Sequence, residues 1–319
     1  MTPANPRILP YGEAALGEAA ALIRAGQCVA VPTETVYGLA ADATDSAAVA
    51  GIYAAKGRPS FNPLIVHVAD MDQAETIACF DAEARALAAR FWPGPLTMVL
   101  PLAEGSPVAS LVTAGLATVA LRMPDHRAMQ GLIRASGRPL AAPSANASGG
   151  ISPTRAAHVA ASLAGRIPLV IDDGATRAGI ESTIVEPATR RILRPGPITA
   201  EQLPGYGSGS TPGAITAPGQ LASHYAPSKP VRLDAEQRRD GEWLIGFGAV
   251  AGDDTLSATG DLKEAAARLF DALHGADASD RPSIAVAPIP AQGLGLAIQD
   301  RLARAAFPRN GKEELAAGE

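Results

Sequence analysis

Residues 46–68 read S-A-A-V-A-G-I-Y-A-A-K-G-R-P-S-F-N-P-L-I-V-H-V, and the hydrophobic pattern changes character once along them. Ser46–Ala55 has helical spacing, with Ser46 in the cap position. Leu64–Val68 is β-rich, and two-residue alternation puts His67 opposite Leu64, Val66 and Val68. Between them lies a loop, Lys56-Gly57-Arg58-Pro59-Ser60-Phe61-Asn62-Pro63. Working outward, the same interleaving recurs. A strand at Cys28–Val31 runs into Pro32-Thr33-Glu34-Thr35. A helix over Asp81–Phe91 has an acidic cap and stops before Pro93-Gly94-Pro95. Strands are expected at Leu96–Leu100 and Thr118–Met123, a helix over Ser152–Leu163 with Ser152 as cap and Pro153 at its first position, then strands at Leu169–Ile171 and Ser182–Val185. Strands interleaved with helices predict an α/β layered domain. Several strands are too close in sequence for helical crossovers, so the sheet is expected to be mixed.

The run Gly205-Tyr206-Gly207-Ser208-Gly209-Ser210-Thr211-Pro212-Gly213 has linker composition, and Pro, Gly and Ser continue to Pro230. Beyond it, strands at Trp243–Phe247 and Ile284–Ala287 and helices at Leu262–Leu273 and Leu294–Ala306 predict a second, smaller α/β unit. The expected organisation is therefore 1–205, a linker or lid at 206–230, and 231–319.

The 319 residues are 47% hydrophobic and carry a net charge of −5, which excludes general disorder. No run approaches the ~20 apolar residues of a membrane helix, and the first residues lack a secretory layout. A cytoplasmic location is expected. Cys28 and Cys79 are the only cysteines, too few for a zinc module or a disulfide framework. Residues 1–205 hold 16 basic and 17 acidic groups, and 206–319 hold 11 and 15. That balance argues against an electrostatic clamp on nucleic acid.

Chemistry concentrates in polar clusters between the strands. Thr33-Glu34-Thr35 reads either as a capped turn or as a ligand loop at a strand end. Lys56 is one of only four lysines, and with Arg58 it suits a polyphosphate or complements the end of the preceding helix. Arg122 closes an apolar strand and needs an anionic partner, a ligand or else Glu34 or Glu181. Pro143-Ser144-Ala145-Asn146-Ala147-Ser148-Gly149-Gly150-Ile151-Ser152 combines small residues with a helix start, without the spacing of a Walker loop. Glu181-Ser182-Thr183 and Leu193-Arg194-Pro195-Gly196 complete the set.

These clusters resemble a known family. V-P-T-E-T-V-Y-G-L at 31–39, K-G-R-P-x-x-N-P-L-I-V-H at 56–67, F-W-P-G-P-L-T at 91–97 and P-S-A-N-x-S-G at 143–149 look like the YrdC-type family. S-P-T at 152–154, E-S-T-I-V at 181–185 and L-R-P-G at 193–196 extend the likeness, and His224-Tyr225-Ala226-Pro227 is similar to the long, two-domain form. The resemblance implies a twisted mixed-sheet domain with a smaller α/β domain behind it. It also implies a nucleotidyltransferase that joins L-threonine, bicarbonate and ATP, with Mg²⁺, into threonylcarbamoyl-AMP and pyrophosphate. A separate tRNA threonylcarbamoyl transferase would use the product for tRNA modification.

By that resemblance, threonine falls to Thr35, His67, Arg122, Ser182 and the backbone at Ala142. ATP falls to Lys56, Arg58, Asn62, Thr118, Ser144, Asn146, Ser152, Arg194 and Tyr225, with Lys56 and Arg58 stabilising the developing charge. No protein metal ligands are expected. The linker around Gln220-Leu221-Ala222-Ser223 lacks basic residues that some relatives carry there. A non-catalytic RNA-binding module of the same fold is the alternative, and the acidic balance disfavours direct tRNA binding. A carbamoyl-phosphate-using relative would need cysteine-rich zinc modules that two cysteines cannot build.

Overall fold

The structure, a computed structural model, describes residues 5–59, 62–209 and 224–307. Ser60 and Phe61 of the 56–67 loop and residues 210–223 of the expected linker, including Gln220–Ser223, lie outside the described residues. The chain begins with β1 (Arg7–Pro10), α1 (Glu13–Arg24), β2 (Val29–Pro32), β3 (Tyr37–Asp42), α2 (Ser46–Lys56) and β4 (Ile65–His67). It continues through α3 (Met71–Ile77), α4 (Ala82–Phe91), β5 (Leu96–Pro101), α5 (Ser110–Thr113), β6 (Thr118–Arg122) and α6 (Arg127–Ser136). Then come β7 (Leu140–Ala141), α7 (Ala156–Ser162), β8 (Leu169–Asp172), β9 (Thr183–Glu186), β10 (Arg191–Arg194) and β11 (Gly207–Ser208). These eleven strands form one sheet in the order β1-β8-β2-β3-β7-β4-β6-β5-β9-β10-β11. The sheet is mixed, as the short connections require: β4 pairs with β6 in parallel, while β5 and β6 are antiparallel.

After residue 224 the chain forms β12 (Val231–Arg232), β13 (Glu242–Gly246), β14 (Asp254–Thr255), α8 (Leu262–Ala278), β15 (Ser283–Val286) and α9 (Leu294–Ala305). Its four strands pair in parallel in the order β12-β15-β13-β14. No helix among the described residues is long and apolar enough to cross a membrane.

Two-residue alternation sorts the large sheet into unlike faces. Val66, Met98, Leu100, Leu121, Val185 and Ile192 point to one face and join the main core against α2, α4 and α5. The other face of the same strands carries Ile65, Val99, Ala120, Ile184 and Leu193, a small apolar cluster. His67 and Arg122 share the parity of Ile65 and Ala120, so the pleat itself delivers them to that side of the sheet; Arg194 joins them through an irregularity in the β9–β10 register, which pairs Ile192 with Val185 but Arg194 with Ile184.

Two expected helix starts are corrected. Asp45, not Ser46, caps α2, its carboxylate accepting from Ala47 N at 2.8 Å. The helix expected from Ser152 begins at Ala156, with Arg155 as the flanking residue and no side-chain cap. Local propensity loses here to tertiary pairing: Pro153 O accepts from Tyr37 N and Thr154 O from Thr176 N, which holds the segment extended.

Candidate active site

Each cluster is anchored by local chemistry before it meets the others. In the β2–β3 turn, Thr33 Oγ1 accepts from the amides of Thr35 and Val36 at 3.1 and 3.2 Å. Thr33 therefore plays the capping part, which leaves the Thr35 hydroxyl to accept from Arg122 Nη1 at 3.0 Å. Arg122 ends β6 directly opposite His67 at the end of β4. It is buried, and its charge is met by Glu34 Oε1 at 2.6 Å, while Nε donates to Gly94 O at 3.2 Å. His67 is buried too, with no partner for Nδ1 among the described residues. Burial, and then the Arg122 charge, push its pKa down to about 3, so the imidazole is neutral.

The opposite wall is built from cations. Lys56 ends α2, where Gly57 takes a left-handed C-cap at φ 61° that disfavours a side chain. The Lys56 ammonium donates to Ser144 O and Asn146 O, each at 2.6 Å, and so pins the small-residue segment to the helix end. Burial and the Arg58 charge lower its pKa well below the usual lysine range. Arg58 donates to Pro63 O at 3.1 Å, and burial lowers its pKa to about 10. Among the described residues no carboxylate forms an ion pair with either. Arg194 donates through Nε and Nη2 to Ser182 O at 3.0 and 2.9 Å and through Nη2 to Ser182 Oγ at 3.1 Å. Gly196 lets the two strands meet there, since a Cβ on it would stand 2.5 Å from Thr183 N.

A hollow lies between these walls. Of the fourteen residues chosen from the sequence, Thr35, Arg58, His67, Arg122, Ala142, Ser144, Ser182, Arg194 and Tyr225 line it. Four others stand behind the wall. Lys56 acts through the carbonyls just named. Asn146 donates to Ala147 O and Gly150 O, closing the glycine turn. Ser152 donates its hydroxyl to Glu181 Oε1, the work it does in place of capping α7. Asn62 is buried with neither amide atom partnered among the described residues. Thr118 is the outlier. It shares the Arg122 face of β6 but stands at the other end of the strand, about 13 Å away at ~3.3 Å per residue.

Glu181 and His224 also line the hollow. In the sequence Glu181 stands only as a candidate partner for Arg122, and His224 carries no signal beyond its place beside Tyr225. His224 lies among Arg58, Lys56, Arg194 and Arg304, and burial and those charges hold it neutral. Tyr225 is fully buried at a positive φ of 62°, packed against Phe270 at 5.5 Å between ring centres. Its hydroxyl has no partner among the described residues. Among those residues, too, no group of three or more His, Cys, Asp or Glu side chains is placed to hold a metal ion.

Comparison with known proteins decides the family. Residues 21–196 match the Sua5/YciO/YrdC family, described as "Telomere recombination", and residues 192–307 match the threonylcarbamoyl-AMP synthase C-terminal domain. The threonylcarbamoyl-AMP synthase of Bacillus subtilis is 42% identical over 92% of this chain and 93% of its own length. The chain belongs to the threonylcarbamoyl-AMP synthase family. It is thus a nucleotidyltransferase-type enzyme. The synthase of Pyrococcus abyssi is likewise 42% identical, over 90% of this chain and 92% of its own. A crystal structure of the P. abyssi protein, Sua5, complexed with L-threonine superposes with a TM-score of 0.86 at 40% identity, covering 94% of this chain and 97% of that one. The P. abyssi protein and this chain thus share both the large mixed sheet and the smaller unit behind it.

Proposed function

We propose that this protein converts L-threonine, bicarbonate and ATP, supplied as its Mg²⁺ complex, into threonylcarbamoyl-AMP and pyrophosphate. In this reading the large-sheet unit, which extends through β11 at Gly207–Ser208, carries the chemistry and the smaller unit braces it. The observation that supports it most is the pairing of an arginine–hydroxyl–imidazole corner with a cationic wall in one hollow.

Arg122 and the Thr35 hydroxyl suit the threonine carboxylate, and Ser182 with the Ala142 backbone suits its side chain and amine. A neutral His67 hydrogen-bonds near the amine without adding a repelling charge; the amine, once it has given up its ammonium proton, bonds to bicarbonate carbon as a C–O bond breaks, and the carbamate forms with loss of water. A carbamate oxygen then attacks the α-phosphorus. The α–β phosphoanhydride bond breaks, and pyrophosphate leaves with the electron pair. Arg58 and Arg194 stabilise the charge that develops on the phosphates, and Lys56 holds Ser144 and Asn146 against the nucleotide. Glu34 and Glu181 are both engaged by arginines. Each is thus committed to a protein cation, which fits a Mg²⁺ that comes with its nucleotide. The product passes to a transferase that modifies tRNA. Direct RNA binding is disfavoured by the acidic balance and by the burial of Lys56, Arg58, Arg122 and Arg194 around the hollow.

The test mixes purified protein with ATP, Mg²⁺, bicarbonate and labelled L-threonine. A labelled adenylate by mass spectrometry, absent without bicarbonate, is the expected result. Carbamoyl-phosphate dependence in place of threonine overturns the reading.

A further inference from the structure

Arg301 on α9 is fully buried, yet it lies outside the hollow and no step of the proposed reaction uses it. Its guanidinium reaches across from the smaller unit to the large one. Nε donates to Glu181 Oε2 at 3.0 Å, Nη2 to Glu181 O at 3.2 Å, and Nη1 to Pro195 O. Nη1 also meets Asp300 on its own helix at 3.2 Å. The guanidinium stands 5.6 Å from the centre of the Tyr225 ring.

The contacts to Glu181, Pro195 and Tyr225 lead into the cavity wall. Glu181 takes the Ser152 hydroxyl on its other oxygen and precedes Ser182, while Pro195 follows Arg194. One planar fork therefore sets the separation of two chain segments, 181–182 and 194–195, and bounds a third, Tyr225. A lysine in the same place would supply the charge but not three donors at fixed angles.

We propose that Arg301 is the positioning residue for the nucleotide side of the hollow, and that the smaller unit contributes to the reaction through it. This rests on the functional reading above. The threonine side is held independently: Arg122, Thr35 and His67 make no contact with Arg301, and Ser182 is steadied by Thr97 Oγ1 at 2.8 Å.

The test compares wild type, Arg301→Lys, Arg301→Gln and the neutral pair Glu181→Gln/Arg301→Gln. Arg301→Lys should lower kcat/KM for ATP at least tenfold and weaken calorimetric binding of the non-hydrolysable analogue adenosine 5′-(β,γ-imido)triphosphate. L-Threonine affinity should stay within threefold and the melting temperature within a few degrees. The neutral pair should recover thermal stability relative to Arg301→Gln without recovering kcat/KM for ATP. Wild-type ATP kinetics in Arg301→Lys overturns the proposal. So does a proportional loss of threonine binding, nucleotide binding and thermal stability, the mark of a merely structural role. Should wild type form no threonine-dependent adenylate, the functional reading fails separately, and analogue binding still decides the role of Arg301.

Discussion

The two ends of the hollow solve the problem of buried charge differently. At the Arg122 end the charge is balanced within the protein, by Glu34 at 2.6 Å, with Gly94 O and the Thr35 hydroxyl completing the guanidinium's contacts. At the Lys56 and Arg58 end the partners found are backbone carbonyls. The balanced end is built to recognise a zwitterion by hydrogen-bond geometry. The other end retains positive charge that only a polyanion answers, and burial already depresses the pKa of both groups. Binding of phosphates and full protonation of Lys56 should therefore be coupled.

The difference predicts opposite mutational signatures. Arg122→Ala strands the Glu34 carboxylate, so it should destabilise the fold by about 3–5 kcal/mol as well as raise KM for threonine. Glu34→Gln/Arg122→Met should recover the melting temperature but not threonine binding. If Arg122→Ala leaves stability untouched, the charge-balanced description of that end is wrong. Arg58→Ala should do the reverse, lowering kcat/KM about 10²–10³-fold with a smaller change in melting temperature than Arg122→Ala, since it deprives the Pro63 carbonyl of a donor but leaves no stranded carboxylate. Lys56→Ala falls between them, because Ser144 O and Asn146 O lose their donor, at about 1–3 kcal/mol of stability. Pyrophosphate-release kinetics with parallel thermal melts separate the three.

Acid should probe both ends through their histidines. His67 protonates near pH 3 in the folded protein against an ordinary value of 6.5, and His224 is shifted the same way. The unfolded chain therefore binds more protons below pH 6.5. Stability is complete above that pH and falls as pH drops toward 3, by about 2 kcal/mol from His67 alone at pH 5. Melting temperatures from pH 7.5 to 5 check this, and His67→Gln should flatten that part of the slope. The smallest effect belongs to Thr118→Val at the far end of β6. Loss of one hydrogen bond should raise KM for ATP about fivefold. An unchanged KM removes Thr118 from the nucleotide surface.

Much of this site was legible because its residues travel in short runs whose local chemistry is self-contained. The strand ends bearing His67 and Arg122 follow from two-residue alternation, Arg194 needs the β9–β10 register irregularity as well, and nine of fourteen chosen residues line one hollow. What local reading missed involves partners far apart in the chain. Ser152 has the profile of a helix cap, but Tyr37 and Thr176 hold its neighbours extended and Glu181 takes its hydroxyl. Arg301 has no sequence signal at all: it is one arginine in an ordinary amphipathic helix, 120 residues from the carboxylate it meets.

The sequence alone determined which side chains share a sheet face, where strands give way to helices and which loops are rich in polar and small residues. Those properties depend on periodicity and backbone freedom within a few residues. Only the tertiary structure decided which charge neutralises which, that Lys56 and Ser152 work from behind the wall, and that the second unit reaches the first through one guanidinium. Burial makes an unpaired charge costly, so each buried charge is matched by whatever group the folded chain brings near, and that proximity is a property of the whole chain.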